Sequence, residues 1–242
     1  MVSRELEELL SGEKDKSMLN DLIDKYYLDR QKDKEQNHFY ITDAGKCERG
    51  IFFKFKNVPR EKMDARMLRL FERGDYIQMQ ILNSMFSIGI VRSSEVTIPP
   101  QELIGGRADA IVTLNNELYV VDFKSMNSMI FKNLTQAKEE NVNQIQLYLH
   151  FFKINKGILL YVNKDTLELK EFLVNYDKEL VEKLLAELKT LKEKIDNDVI
   201  PKILQDAYTN WQCRYCPFAD ICKMAGPEET DWNKFKKKIK DS

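Results

Sequence analysis

Residues 104–125 read IGGRADAIVTLNNELYVVDFKS, two runs of strand-forming residues joined through Asn115 and Asn116. With that pair at the tip of a hairpin, Leu114 faces Glu117, and each further step along the strands keeps the two residue numbers at the same sum. This register places Asp109 opposite Asp122. Side chains alternate along a strand, so Lys124 shares the face of Asp122, beside Val120 and Ile111. Directly opposed Cβ atoms lie about 5 Å apart, a separation at which two carboxylates repel unless a cation or proton stands between them. An Asp inside a strand also works against propensity and burial, so two at one level indicate a task other than folding. An Asp-x-Lys triplet alone carries little weight, because the chain holds 39 acidic and 38 basic residues and strand charges near a sheet edge can serve solubility. The opposed Asp109 turns the triplet into half of a metal site.

A basic residue beside two strand carboxylates suits metal-dependent phosphodiester cleavage. The cation neutralises the scissile phosphate and lowers the pKa of its water, while the ammonium stabilises developing charge. Mg²⁺ or Mn²⁺ fits, since both prefer oxygen donors, and Mg²⁺ takes only one or two protein carboxylates, leaving positions for phosphate and water.

A chain of 242 residues can bury a substantial core, and no stretch reads as a flexible linker, so one domain over 1–242 is expected. Within it we expect an N-terminal helical region (1–35), a core (36–200), a cysteine segment (201–226) and a basic tail (227–242). The apolar fraction of 43% and charged fraction of 32% fit an ordered, soluble protein. With a formal net charge of -1, nucleic-acid binding requires a local basic groove rather than overall charge. The charged start has no apolar signal core and no later stretch is long enough to span a membrane, giving a cytoplasmic expectation. No G-x-x-x-x-G-K-[ST] loop occurs, so no ATP motor is recognisable.

Apolar periodicity predicts one or two amphipathic helices over 4–34, with Leu9, Leu10, Leu19, Leu22, Ile23 and Tyr26 as a core-packing stripe. A helix follows from Asp64 to Phe86, with Met67, Leu70, Phe71, Ile77, Ile81 and Leu82 at helical intervals. Strands are expected at Val91–Ile98, Ala108–Leu114, Leu118–Phe123, Gly157–Val162 and Leu167–Val174, and helices at Leu134–Phe152 and Lys178–Asn197. The layout is mixed α/β, and the crossover helix implies a partly parallel sheet.

Cys47 stands alone early in the chain, and Cys213, Cys216 and Cys222 follow in WQCRYCPFADICKM. The late triplet is compact enough to wrap a metal, with Cys47 as a distant fourth ligand. Disulfides do not suit a cytosolic chain. Spacing leaves an iron–sulfur cluster and a four-thiolate zinc site both open. Either one ties the two ends of the domain together.

The hairpin lying between a lone early Cys and a late Cys triplet resembles the RecB-like branch of the PD-(D/E)xK nucleases. The likeness is to the iron–sulfur-stapled form found in CRISPR-associated exonucleases of the fourth Cas family and in AddB-type nuclease domains. It runs from ITDAGKCERGIFF to CRYCPFADIC. The resemblance implies a restriction-endonuclease-like mixed sheet flanked by helices, with the C-terminal Cys cluster closing against the N-terminal region. It further implies Asp109 in GGRAD and Asp122 in VVDFKS as metal ligands, Lys124 as catalytic lysine, and Cys47, Cys213, Cys216 and Cys222 as holders of a [4Fe-4S] cluster. NQIQLYLHF resembles the family's Q-x-x-x-Y signature: Gln144 would order the site and Tyr148 would contact DNA, both on one helix face.

One position departs from the pattern. Where the family places a metal-binding His in G-x-x-x-H, GDYIQ offers Gln78, whose neutral oxygen can still ligate a hard cation or hold its water. His38 and His150 do not fill that slot and read as structural, and Glu95 and Glu72 are candidate outer-shell carboxylates for which an ordinary solvated role is the leading reading. The leading expectation is a metal-dependent DNA exonuclease or flap nuclease, with Tyr148 and Lys132 tracking a single strand and a helicase or integrase as partner. Its competitors are a catalytically impaired DNA-binding subunit, for which Gln78 is the motive, and a zinc-stabilised interaction module. The tail WNKFKKKIK is expected to be frayed and solvated.

Overall fold

The computed structural model describes residues 18–32, 35–101, 103–207 and 209–240. In chain order they form α1 (Met18–Asp29), β1 (Phe39–Tyr40), a 3₁₀ turn (Ile41–Asp43), α2 (Glu48–Phe55), α3 (Ala65–Ser87), β2 (Val91–Gln101), β3 (Ile104–Leu114) and β4 (Glu117–Met126). Then come α4 (Ser128–Lys132), α5 (Glu139–Phe152), β5 (Lys156–Asn163), β6 (Leu169–Asn175), α6 (Lys178–Asp196), β7 (Val199–Ile200), α7 (Trp211–Arg214), α8 (Ala219–Ala225), β8 (Thr230–Asp231) and α9 (Trp232–Lys240). Two compact units result, one from Met1–Asp33 and Lys62–Arg73, the other from Lys34–Glu61 and Gly74–Ser242.

In the smaller unit, Tyr27 donates to Glu72, Arg69 pairs with Asp24, and Gln31 exchanges two bonds with the Met63 backbone, at 2.9 and 3.1 Å. Polar contacts hold α1 here. The apolar stripe expected to pack on the core does not do so: no α1 residue is buried, and Leu19 is 66% exposed. Leu9 and Leu10 lie outside the described residues.

The larger unit is a mixed sheet between helical layers, the expected class. Its strands run β1-β3-β4-β5-β6, with β2 on β3. Asn115 and Asn116 both adopt positive φ, 50° and 64°, the geometry that lets a two-residue turn match the twist of its strands. Leu114 pairs with Glu117 and the ladder holds as far as Ala110 with Val121. There it stops. Asp109 and Asp122 keep the expected register but are not a ladder pair, because β3 and β4 part at this level. Beyond the fork, Ile104 and Gly105 pair instead with β1 in parallel, while β4 continues on β5, parallel from Val120 to Met126.

The β4–β5 crossover is made by α4 and α5, so the helix expected over 134–152 is shorter than its periodicity suggested. Glu139 and Glu140 sit in the first turn of α5, where the helix dipole favours anions. Asp177 caps α6 by accepting the Leu180 N–H at 3.1 Å. Alternate residues of the sheet feed two cores: Val120, Leu159 and Tyr161 pack with Ile145 and Leu149 of α5, whereas Val121, Phe123, Ile158 and Leu160 pack with Leu82 of α3. Asp122 and Lys124, in step with Val120, therefore face α5.

The C-terminal tail is not frayed, contrary to expectation. Trp232 and Phe235, one helical turn apart, are 8% and 4% exposed, and the Trp232 ring meets Phe52 and Phe53 at 5.9 and 6.3 Å. The run of lysines hides an apolar stripe that burial of two aromatic rings holds in place.

Helix α5 lies so close to β5 that a Cβ on Gly157 would come within 2.6 Å of Ile145 Cδ1 and 3.0 Å of its Cγ1. Gly157→Ala is expected to cost about 1–3 kcal/mol by overpacking, lowering Tm by a few degrees in a thermal melt. An unchanged Tm would show that α5 can move away from the sheet.

Candidate active site

The fork between β3 and β4 creates the site. Asp109 spends one carboxylate oxygen on the Phe123 N–H at 2.8 Å, occupying a donor that the lost ladder would have used. Asp122, on the facing strand, is 1% exposed. Its Oδ1 accepts from Gln144 Nε2 at 3.0 Å. Its Oδ2 has Lys124 Nζ at 2.6 Å as an ion pair but accepts no well-aligned hydrogen bond, so a buried acceptor is left underused. Gln144 Oε1 takes a bond from Lys124 at 2.9 Å. One amide therefore accepts from the ammonium and donates to the carboxylate, which a Glu or a Lys at that position could not do.

Tyr148, expected at the DNA interface, is 2% exposed. Its hydroxyl donates to the Arg107 carbonyl at 2.7 Å and faces Gln144 Nε2 at 3.4 Å. It stands behind the site, holding Gln144 from α5 against β3, with no open face for a base. Lys132 is exposed on α4, and no described contact brings it to the carboxylates. His150 bonds the Tyr176 hydroxyl at 2.8 Å, in keeping with its structural reading.

Gln78 reaches the carboxylates' neighbour Glu95, which acts electrostatically on Asp109. Its Nε2 donates to Glu95 Oε1 at 3.3 Å, and Arg107 pairs with the other Glu95 oxygen. Gly74, one turn earlier on α3, permits this approach, since a Cβ there would lie 3.2 Å from Ser125 Oγ of β4. Glu95 lies where its outer-shell reading requires. Ser94 pairs with Ala110 and Val96 with Ala108, which sets Glu95 across from Asp109. Its φ is 53°, a left-handed conformation costing a non-glycine residue about 1 kcal/mol or more. The available signal was its register against Asp109, which requires knowing that β2 lies on β3. Glu72 belongs to the other unit, where it accepts the Tyr27 hydroxyl.

Burial dominates the electrostatics of the carboxylate pair. Burial, then the charge of Asp122, raises the Asp109 pKa from its ordinary 3.8 to about 7, with Glu95 adding to the effect. Burial likewise pushes Asp122 up, against the pull of Lys124. Burial also lifts the Tyr148 phenol well above its usual range. Among the described residues no three His, Cys, Asp or Glu side chains stand close enough to hold an ion unaided. Two carboxylates with an underused oxygen still fit a hard divalent cation, which draws its remaining ligands from water and phosphate.

A second cluster lies apart from the first. Cys47, Cys213, Cys216 and Cys222 line one cavity of about 790 Å³, together with Arg49 and Phe53. Burial raises the Cys47, Cys213 and Cys216 thiols, while backbone N–H groups of Gly50 and Arg49 at Cys47, and of Phe218 at Cys216, act the other way. N–H groups aimed at buried sulfur favour thiolate, the form that binds metal.

The sequence profile of the PD-(D/E)XK nuclease superfamily matches residues 5–223. The chain belongs to that superfamily. It is similar to the CRISPR-associated exonuclease Cas4 of Saccharolobus solfataricus (strain ATCC 35092 / DSM 1617 / JCM 11322 / P2), 27% identical over 206 residues, covering 78% of this chain and 89% of that one. The fold is shared with the crystal structure of SSO0001, at TM-score 0.54 and 23% identity over 86% of this chain and 98% of that one. It is also shared with an alkaline exonuclease, LHK-Exo, from Laribacter hongkongensis, at TM-score 0.51 and 10% identity over 71% and 92% of the two chains. No helix among the described residues is long and apolar enough to cross a membrane.

The raised Asp109 pKa fixes the sign of a pH effect. Between about pH 4 and about pH 7 the metal-free folded state binds more protons than the unfolded chain, so this stabilising contribution is full at low pH and lost as pH rises through 7. Protein treated with EDTA should melt at a lower temperature at about pH 8 than at about pH 5.5 by this contribution, and Asp109→Asn should flatten the difference. A wild-type curve matching the variant's would mean that the carboxylates do not repel.

Proposed function

We propose that the chain is a divalent-metal-dependent deoxyribonuclease acting on DNA ends, single-stranded ends or flaps above all. The observation that carries this reading is the buried Asp122 oxygen without an aligned donor, beside Asp109 and Lys124. Mg²⁺ or Mn²⁺ held by Asp109 and Asp122 would neutralise the scissile phosphate and lower the pKa of water at the site. Lys124, partly exposed and fixed by Asp122 and Gln144, is the group able to meet charge growing on the phosphoryl oxygens. Gln144 sets the Lys124–Asp122 geometry, and Tyr148 sets Gln144. The exonuclease name of the 27% identical relative supports end-directed cleavage. CRISPR spacer acquisition, recombination and phage replication are settings that need it, with a helicase or integrase as partner, since the sequence shows no motor.

The second cofactor we assign is a [4Fe-4S] cluster on Cys47, Cys213, Cys216 and Cys222. Four cysteines from opposite ends of the chain around one cavity support it, as does the donor set, since thiolates with N–H bonds at sulfur suit iron–sulfur ligation. Its role is to tie the 201–226 segment to α2 and close the 36–200 core, as one nuclease domain in a cytoplasmic protein. Gln78 motivates a second reading, a catalytically impaired DNA-binding subunit, because its amide is committed to Glu95 rather than to the carboxylate pair.

End-labelled single-stranded DNA incubated with anaerobically purified protein separates the two. Cleavage in Mg²⁺ or Mn²⁺ and not in EDTA is expected, with Lys124→Ala reducing the rate about 10²–10³-fold at unchanged DNA binding. Binding without cleavage in any metal would instead establish the impaired subunit, and Gln78→His would then be the variant expected to gain activity.

A further inference from the structure

Arg49 is 0% exposed, and everything its guanidinium touches is neutral. Nε donates to the Pro201 carbonyl at 2.6 Å, Nη1 to those of Gly226 at 2.5 Å and Cys222 at 3.3 Å, and Nη2 to those of Glu228 at 3.0 Å and Pro227 at 3.3 Å. Nη1 also lies 3.6 Å from Cys222 Sγ, within hydrogen-bond reach of sulfur. No carboxylate among the described residues pairs with it: Glu48 and Glu229 are taken by Lys194, and Glu228 by Lys202. A buried guanidinium satisfied only by carbonyl dipoles keeps a full uncompensated charge, which a protein interior tolerates poorly. The missing counter-charge has an obvious place, since Arg49 lines the cysteine cavity.

We propose that Arg49 is the buried counter-charge and hydrogen-bond donor of the cysteine-bound cluster, setting its reduction potential through Cys222. The proposal rests on the iron–sulfur reading and deepens it. A [4Fe-4S] centre on four thiolates is anionic, and its potential responds to net charge and to hydrogen bonds at its sulfurs. Arg49 stands two residues after the ligand Cys47, and its side chain reaches Cys222 Sγ at 3.6 Å. Stapling the C-terminal carbonyls to α2 is the other half of its work, but that half needs donors rather than a charge.

The test compares wild type, Arg49→Gln and Arg49→Lys, purified anaerobically and supplied with iron and sulfide, by iron content and by midpoint potential in a dye-mediated titration followed by EPR. Arg49→Gln should bind iron with a more negative potential and lose it faster to a chelator. Arg49→Lys, which keeps the charge, should lie nearer wild type. An iron-loaded Arg49→Gln with the wild-type potential overturns the proposal. Should that variant fail to fold or to hold iron, wild type carrying ¹⁵N-labelled arginine decides by ENDOR on the reduced cluster: a guanidinium coupling supports the assignment and its absence overturns it. A wild type that holds no iron overturns the cluster reading itself, and is recognised by iron content before any potential is measured.

Discussion

Asp109 accepts the Phe123 N–H at the level where β3 and β4 cease to pair, and much of the larger unit follows from that one bond. If the hairpin had zipped on, the two strands would have satisfied each other and left no gap. Instead the start of β3 pairs with β1 while β4 keeps β5 along its other edge, so the sheet has an opening inside it. Ala108 belongs to the core beneath α5, and Ala110 and Val112 to the core beneath α3. The change of side falls at Asp109, which is left facing the gap with Asp122. A metal centre needs oxygen donors that the backbone has not already used, and a fork supplies them without breaking either core.

Helix α5 is the second determinant. It crosses the sheet close enough to require Gly157, and that closeness lets Gln144, itself largely buried, reach both Asp122 and Lys124. A polar network inside a low-dielectric site is costly when half satisfied and rigid when complete. Here Asp122 Oδ2 is held by the Lys124 ammonium at 2.6 Å rather than by an aligned neutral donor. The cysteine cavity of the same unit repeats the logic with sulfur. Arg49 draws the 201–228 backbone onto α2 through five carbonyls, and Cys47 and Cys222 come with it.

Local signals were legible where local chemistry decides. Asn115-Asn116 fixed the turn and hence the register, because two positive φ values are needed and Asn tolerates them. The shared face of Asp122 and Lys124 followed from strand alternation, whereas Gln144 was reached only through the resemblance of NQIQLYLHF to the Q-x-x-x-Y signature. What could not be read was set by neighbours distant in sequence. The fork depends on β1, some 65 residues earlier, so the sequence suggested a continuous ladder. Tyr148 looked like a surface residue until α5 was seen to press it against β3. The lysines around Trp232 and Phe235 masked a helix whose docking surface, Phe52 and Phe53, lies far upstream. For α1 the error ran the other way: its stripe has helical period, yet the side chains stay exposed, because periodicity reports amphipathicity and not what covers it.

Charge bookkeeping links the candidate centre to its proposed chemistry. Glu95 and Arg107 neutralise each other, and Gln78 adds a dipole but no charge. Among the described residues Lys124 is the cation paired with Asp122, which leaves the two acids one formal negative charge in excess, while burial first, and for Asp109 the charge of Asp122 next, raises their pKa. A phosphodiester entering the fork would bring that excess to two, the amount a divalent cation carries. A histidine at position 78 would add a partial positive charge next to Glu95 and alter this balance, whereas glutamine leaves it intact. On this argument Gln78 changes how firmly Glu95 is held more than it changes the charge the centre must bind. Under the proposed function, the carboxylate pair, Lys124 and Gln144 would together meet a divalent cation and the charge developing on a phosphate.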